Sequence, residues 1–155
     1  MDRIDAHAKA AGAANLLYRD ADKAWTAGNT DGRGFTLALE EATGESLAGK
    51  DVVILGAGGA ARAIGAAAIG DGAASVTLIN RTIERAQVVA EALGGASVAW
   101  LGPRCLEELE VSVDLLVNTL PAQAEGLVAQ LSLAPLPSHA EIVDINYHVH
   151  RPALL

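Results

Sequence analysis

The chain predicts an α/β fold: a doubly wound, parallel sheet with helices on both faces. Three observations carry that prediction. Apolar runs at 51–55, 75–79, 96–101, 112–117 and 141–146 alternate with helical stretches at 59–70, 83–93 and 122–131. The runs are continuously apolar, the pattern of strands buried on both faces. The first run drops into a glycine turn, Gly56-Ala57-Gly58-Gly59, that opens an Ala-rich helix. Strand–helix–strand order then requires crossover connections, which generate a Rossmann-like sheet.

Taken in order, residues 2–11 predict a short helix closed by Gly12. Residues 13–18 and 24–28 predict two short strands around the polar turn 19–23. Residues 32–43 predict a helix that ends at Gly44 and buries Phe35, Leu37, Leu39 and Ala42. The strands and helices named above follow, with a helical turn near 104–109 and a surface loop at 132–139 carrying Pro135 and Pro137. Residues 1–31 stand outside this plan. Two short strands do not make a stable sheet alone, so they read as a remnant of another domain or as a piece that pairs with a second copy. A linking helix at 32–49 then leads into a nucleotide-binding domain over 32–155.

Composition narrows the classes. Of 155 residues, 51% are hydrophobic and only 3% aromatic, so the core is built of Ala, Leu, Val and Ile. A net charge of −8 argues against a nucleic-acid binder, yet it leaves room for a local anion site of opposite sign. The single cysteine, Cys105, makes no internal disulfide, and a reducing compartment is expected. No apolar stretch is long enough for a membrane span, and the start Met-Asp-Arg-Ile-Asp lacks the form of a signal peptide. The expected location is the cytoplasm.

The glycine turn is the chemical centre. Gly56, Gly58 and Ala61 give G-x-G-x-x-A spacing between a strand and a helix. Gly56 permits the tight turn, Gly58 lets backbone approach a diphosphate, and Ala61 lets helix pack on strand. Gly56, Ala57, Gly58, Gly59, Ala60 and Ala61 are therefore candidate cofactor-binding residues. The alternative is a tight turn without a ligand. The next strand ends at Asn80-Arg81-Thr82, followed by Arg85, where an NAD site would place Asp or Glu on the ribose. No carboxylate there repels a 2′-phosphate and two guanidiniums can hold one, so NADP is expected over NAD. The alternative makes Thr82 a helix N-cap and both arginines solvated.

Four stretches now resemble the shikimate dehydrogenase family: Gly12-Ala13-Ala14-Asn15, Asn29-Thr30-Asp31-Gly32, Gly56 to Arg62 (G-A-G-G-A-x-R), and Asn80 to Ala86 (N-R-T-x-x-R-A). The resemblance implies NADP-dependent reduction of 3-dehydroshikimate to shikimate. It implies that Asp31 is the catalytic Asp beside a Lys, and that Asn15, Asp31 and Tyr147 contact substrate. It places Asn80, Arg81, Thr82, Arg85, Asn118, Thr119 and Ile145 on the cofactor. From local sequence alone Asp31 is a helix N-cap; the two roles are compatible.

Several features depart from the family. Its Lys motif N-V-T-x-P-x-K and its C-terminal helices have no counterpart here. Asn118-Thr119-Leu120-Pro121 matches only partly, and His148-Val149-His150 leaves the pattern. The expectation is a cofactor half without its substrate half: a fragment without turnover of its own, with residues 1–31 left from the substrate domain and available for self-association. Other readings are a non-catalytic NADP(H)-binding module, a quinate/shikimate dehydrogenase that takes NAD, or the NADP domain of a glutamyl-tRNA reductase, against which N-T-D-G argues. His148 and His150 share a strand face but lack a third ligand, so no metal is expected.

Overall fold

The computed structural model describes residues 2–94, 96–100 and 102–146. The chain opens on a small sheet. Strand β1 (Arg3–Ile4) leads to helix α1 (Ala6–Ala11), then β2 (Leu16–Arg19) and β3 (Trp25–Gly28). β3 lies between β1, which it meets in parallel, and β2, which it meets antiparallel. The expected helix over 2–11 is therefore half its length. Asp5 accounts for the difference: its carboxylate accepts the Ala8 amide at 2.7 Å and starts the helix there, while Gly12 ends it in the left-handed region. That leaves residues 3–4 free to pair with β3. The strand predicted at 13–18 starts only at Leu16.

Helix α2 (Asp31–Thr43) connects to a five-stranded sheet. Its strands are β4 (Asp51–Leu55), β5 (Ser75–Asn80), β6 (Ala96–Trp100), β7 (Leu115–Asn118) and β8 (Glu141–Asp144). Their order is β6-β5-β4-β7-β8, and every neighbouring pair is parallel. Helices α3 (Gly59–Gly70) and α4 (Ile83–Leu93) follow β4 and β5. The strand predicted at 112–117 begins later, at Leu115. The last strand ends at Asp144, whose carboxylate accepts the Asn146 amide at 2.8 Å and turns the chain. The helix predicted over 122–131 is a 3-10 turn, Ala122–Ala124, and one short helix, α5 (Glu125–Val128). Pro121 opens it and Gly126 weakens its centre.

Alternation along the strands divides the core. Val52, Ile54, Val76, Leu78, Leu115 and Val117 face α2, α3 and α4. Val53, Leu55, Ile79 and Leu116 face the other side, where Cys105, Leu106, Val128 and Leu131 cover them. Both faces are closed, as continuous apolar strands require. On α2 the inward face is Gly32, Thr36 and Leu39, with Phe35 half-buried beside them. Leu37, expected inside, is 46% exposed because the helical period turns it outward. Gly32 is needed for contact: a Cβ there would collide with the Ala63 carbonyl of α3.

No helix of the described residues is long and apolar enough to cross a membrane.

Candidate nucleotide site

The strand order reverses at β4, from which the chain winds first through β5 and β6 and then back to β7 and β8. Open α/β sheets carry their ligands at the carboxyl ends of the strands that flank such a point. Here those ends are Leu55 and Asn118, which are register partners. Directly after them Gly56 and Thr119 meet. Gly56 has φ 118°, and a Cβ on it would stand 2.5 Å from Thr119 Oγ1. Only glycine suits both the backbone and the space. The Thr119 hydroxyl donates to the Leu55 carbonyl at 2.7 Å, and the Gly56 amide donates to Ile79 O at 2.8 Å. Three strand ends are thus tied around one turn.

The turn delivers the start of α3. Gly58 is its N-cap, with no side-chain cap, and the first helical bond runs from Arg62 N to Gly58 O at 3.0 Å. The amides of residues 58–61 precede that bond and have no partner within the helix. Around Gly58 no atom lies within 4 Å of an ideal Cβ, so the space beside the N-cap is open. A helix of this length presents partial positive charge there. These features fit a bound diphosphate.

The second wall comes from β5. Asn80 Nδ2 donates to the Thr82 carbonyl at 2.7 Å and folds the chain sharply into α4. Thr82 occupies the N-cap position, but its hydroxyl makes no capping bond, which corrects the expectation that it caps the helix. A crevice of about 460 Å³ runs from here to the chain after β7. Arg81, Thr82 and Arg85 form its cationic side; Leu120, Pro121 and Leu127 form the apolar side. One side suits a phosphate and the other a flat heterocycle.

Asn118 is 3% exposed, and its amide is used inside the protein. Nδ2 donates to Asp144 Oδ2 at 2.8 Å, and Oδ1 accepts the Leu120 amide at 3.1 Å. Asn146 Nδ2 donates to Leu120 O at 2.8 Å and completes the tie between the ends of β7 and β8. Ile145 packs against the same core cluster as Ala57, at this end of the sheet. Tyr147 lies outside the described residues.

Asn15 and Asp31, far apart in sequence, meet. Asn15 Nδ2 donates to Asp31 Oδ1 at 2.5 Å and to Thr30 Oγ1 at 3.1 Å, while the Thr30 amide donates to Asn15 Oδ1 at 3.1 Å. Asp31 is not the N-cap of α2; Thr30 holds that position. The turn is instead held by Asn29, the first residue of the N-T-D-G stretch. Asn29 is 5% exposed; its Oδ1 accepts the Asp31 amide at 2.9 Å, and its Nδ2 donates to Ala13 O at 3.1 Å. It therefore locks the Asn15 segment to the Asp31 segment. The same segment leans on the glycine turn, because a Cβ on Gly59 would lie 4.0 Å from Ala13 Cβ. Among the described residues no lysine pairs with Asp31.

Among those residues no group of three metal-ligating side chains gathers. Cys105 is buried, and burial pushes its thiol above the usual cysteine value.

Residues 37–145 match the family model described as shikimate / quinate 5-dehydrogenase. The chain is similar to the shikimate dehydrogenase (NADP(+)) of Magnetococcus marinus: 39% identical over 160 residues, covering 100% of this chain and 56% of that protein. Its structure is similar to that of shikimate 5-dehydrogenase from Listeria monocytogenes in complex with shikimate and NAD, with a TM-score of 0.82, 27% identity, and coverage of 100% of this chain and 57% of that one. It is also similar to shikimate 5-dehydrogenase from Thermus thermophilus in complex with NADP(H) and shikimate, with a TM-score of 0.71, 30% identity, and coverage of 95% and 52%. The chain spans about half the length of the relatives it matches.

Proposed function

The chain belongs to the shikimate / quinate 5-dehydrogenase family, and from that premise we propose that it is the NADP-binding part of a shikimate dehydrogenase. The observation that carries this reading is the junction of an uncapped α3 N-terminus with Arg81 and Arg85 and no carboxylate at 80–82. In this reading the amides of residues 58–61 hold the diphosphate. Arg81 and Arg85 hold the 2′-phosphate, and Asn80 and Thr82 shape the loop that presents them. Thr119 and Asn118 keep the facing strand end in place, and Ile145 lies toward the nicotinamide. Bound NADPH supplies a hydride to the carbonyl carbon of 3-dehydroshikimate, and a proton must reach the developing alkoxide. Asn15 and Asp31 bind the substrate hydroxyls, with Asn15 fixing the rotamer of the Asp31 carboxylate; Tyr147 contacts the substrate from the other side.

Residues 1–31 are the part of the substrate domain carried by this chain, and residues 32–155 the NADP domain with its linking helix. Four apolar side chains on the small sheet, Ile4, Leu16, Leu17 and Trp25, are 55%, 44%, 56% and 41% exposed. Its edge strands β1 and β2 have no further neighbour among the described residues. Both features favour self-association through this segment.

A second reading, an NAD-using shikimate or quinate dehydrogenase, is favoured by the NAD in the Listeria relative. Calorimetric titration separates the two. The NADP reading expects NADPH to bind at least about tenfold more tightly than NADH, the effect of one charge-assisted contact pair. Equal affinities support the NAD reading, and no heat from either nucleotide refutes both. Following NADPH absorbance with 3-dehydroshikimate present tests turnover, and none is expected from this chain alone.

A further inference from the structure

Building on the NADP reading, we propose that Arg62 is a third cation of this site and holds the diphosphate, while Arg81 and Arg85 hold the 2′-phosphate. Arg62 is the fourth residue of α3. Long side chains on a helix lean toward its N-terminus, so this one runs back over the first turn and its open amides. Arg62 Nη1 is 3.5 Å from where a Cβ on Gly12 would stand, on one side of the turn. On the other side the same residue lines an open crevice of about 420 Å³ with Ala57, Glu84, Arg85 and Val88. The side chain thus lies between the end of α1 and the crevice that Ala57 and Arg85 also line.

Arg62 is half-buried, and among the described residues it has no hydrogen-bond or ion-pair partner. A partly desolvated guanidinium without a partner is unfavourable. The chain has carboxylates to spare, at a net charge of −8, yet Glu84 in the same wall makes no ion pair with it. Three other cations are paired: Lys50 with Glu45 and Glu141, Arg3 with Asp20 and Asp22, and Arg104 with Glu107. Two guanidiniums, Arg62 and Arg85, share a wall beside free backbone amides. A diphosphate offsets the charge of Arg62 and accepts from the amides at once, leaving Arg85 to the 2′-phosphate. The competing role is a strut between α3 and the end of α1, and it makes a different prediction.

Calorimetry on the 155-residue chain tests the proposal with three ligands: NADPH, NADH and adenosine 2′-monophosphate. Arg62→Ala is expected to weaken NADPH and NADH by the same factor, about tenfold or more, leaving the preference for NADPH intact. Adenosine 2′-monophosphate has no diphosphate, and its affinity is expected to hold within about twofold. Arg62→Lys recovers part of the loss, since it restores charge without the planar fork. If Arg62→Ala lacks a melting transition, Arg62→Gln, which keeps most of the stem and removes the charge, carries the same expectation. Unchanged NADPH binding, or an equal loss for adenosine 2′-monophosphate, overturns the proposal; the second result makes Arg62 a strut. Failure of the unsubstituted chain to bind NADPH overturns the NADP reading itself.

Discussion

The two ends of the five-stranded sheet carry similar charged residues to opposite ends. At the amino end, charges answer one another. Lys50 lies 2.5 Å from Glu45 and 3.2 Å from Glu141, and these contacts, the bond to Glu45 first, raise its pKa above the usual lysine value. Asp114 accepts the Asp51 amide at 2.8 Å and faces His139 at 3.1 Å, and the backbone bond leads in holding its carboxyl below the usual range. Ser75 donates to Asp51 at 2.6 Å. At the carboxyl end, Arg62, Arg81 and Arg85 line two crevices and have no hydrogen-bond or ion-pair partner among the described residues. A satisfied network locks strands in place; an unsatisfied cationic group in an acidic chain awaits an anion. The difference is what the proposed nucleotide site requires.

Substitutions at the two ends should therefore fail in different ways. The largest effect is expected from Gly56→Ala. Backbone at φ 118° and a methyl against Thr119 Oγ1 should cost about 2–4 kcal/mol of stability and abolish nucleotide binding. Chemical denaturation and calorimetry check both. Next, Arg81→Ala should weaken NADPH by about 10- to 100-fold while changing NADH little; equal losses for both cofactors would break the assignment of this wall. Gly32→Ala should lower stability by about 1–3 kcal/mol by pushing α2 from the Ala63 carbonyl, with a smaller effect on NADPH.

At the amino end the expectation is a pH dependence without a binding effect. The folded pKa of Asp114 lies below its unfolded value, so the native state binds fewer protons as acid is added. Its contribution is complete above the ordinary carboxylate range and disappears as pH falls through the depressed pKa. Melting temperatures taken between about pH 5 and pH 2.5 should fall less steeply for Asp114→Asn than for the unsubstituted chain. Smallest of all, Glu45→Gln should change stability by no more than about 0.5 kcal/mol, because its side chain is 63% exposed.

Much of the carboxyl end was legible in sequence because its signals are local. A continuous apolar run, a glycine turn and an Ala-rich stretch place β4 and α3 to the residue, and the missing acidic residue at 80–82 needs no neighbour to be seen. What escaped depends on distant partners. β1 exists because residues 3–4 pair with 26–27 across the intervening chain. Asn29 matters through the Ala13 carbonyl, and nothing in its local sequence reveals that bond. His139 finds Asp114 only after the chain has crossed β7 and returned to β8. Arg62 reads in sequence as the last letter of a motif; its lack of a partner is visible only in three dimensions. Asp31 was open between cap and substrate ligand, and folding assigns the turn to Asn29 and Thr30 and leaves the Asp31 carboxylate with Asn15.

A crystal structure of this chain grown with NADPH is the most direct test of the site. The account predicts the diphosphate within hydrogen-bonding distance of the amides at 58–61 and the 2′-phosphate between Arg81 and Arg85. A nucleotide bound elsewhere, or a 2′-phosphate turned into solvent away from both arginines, would contradict it.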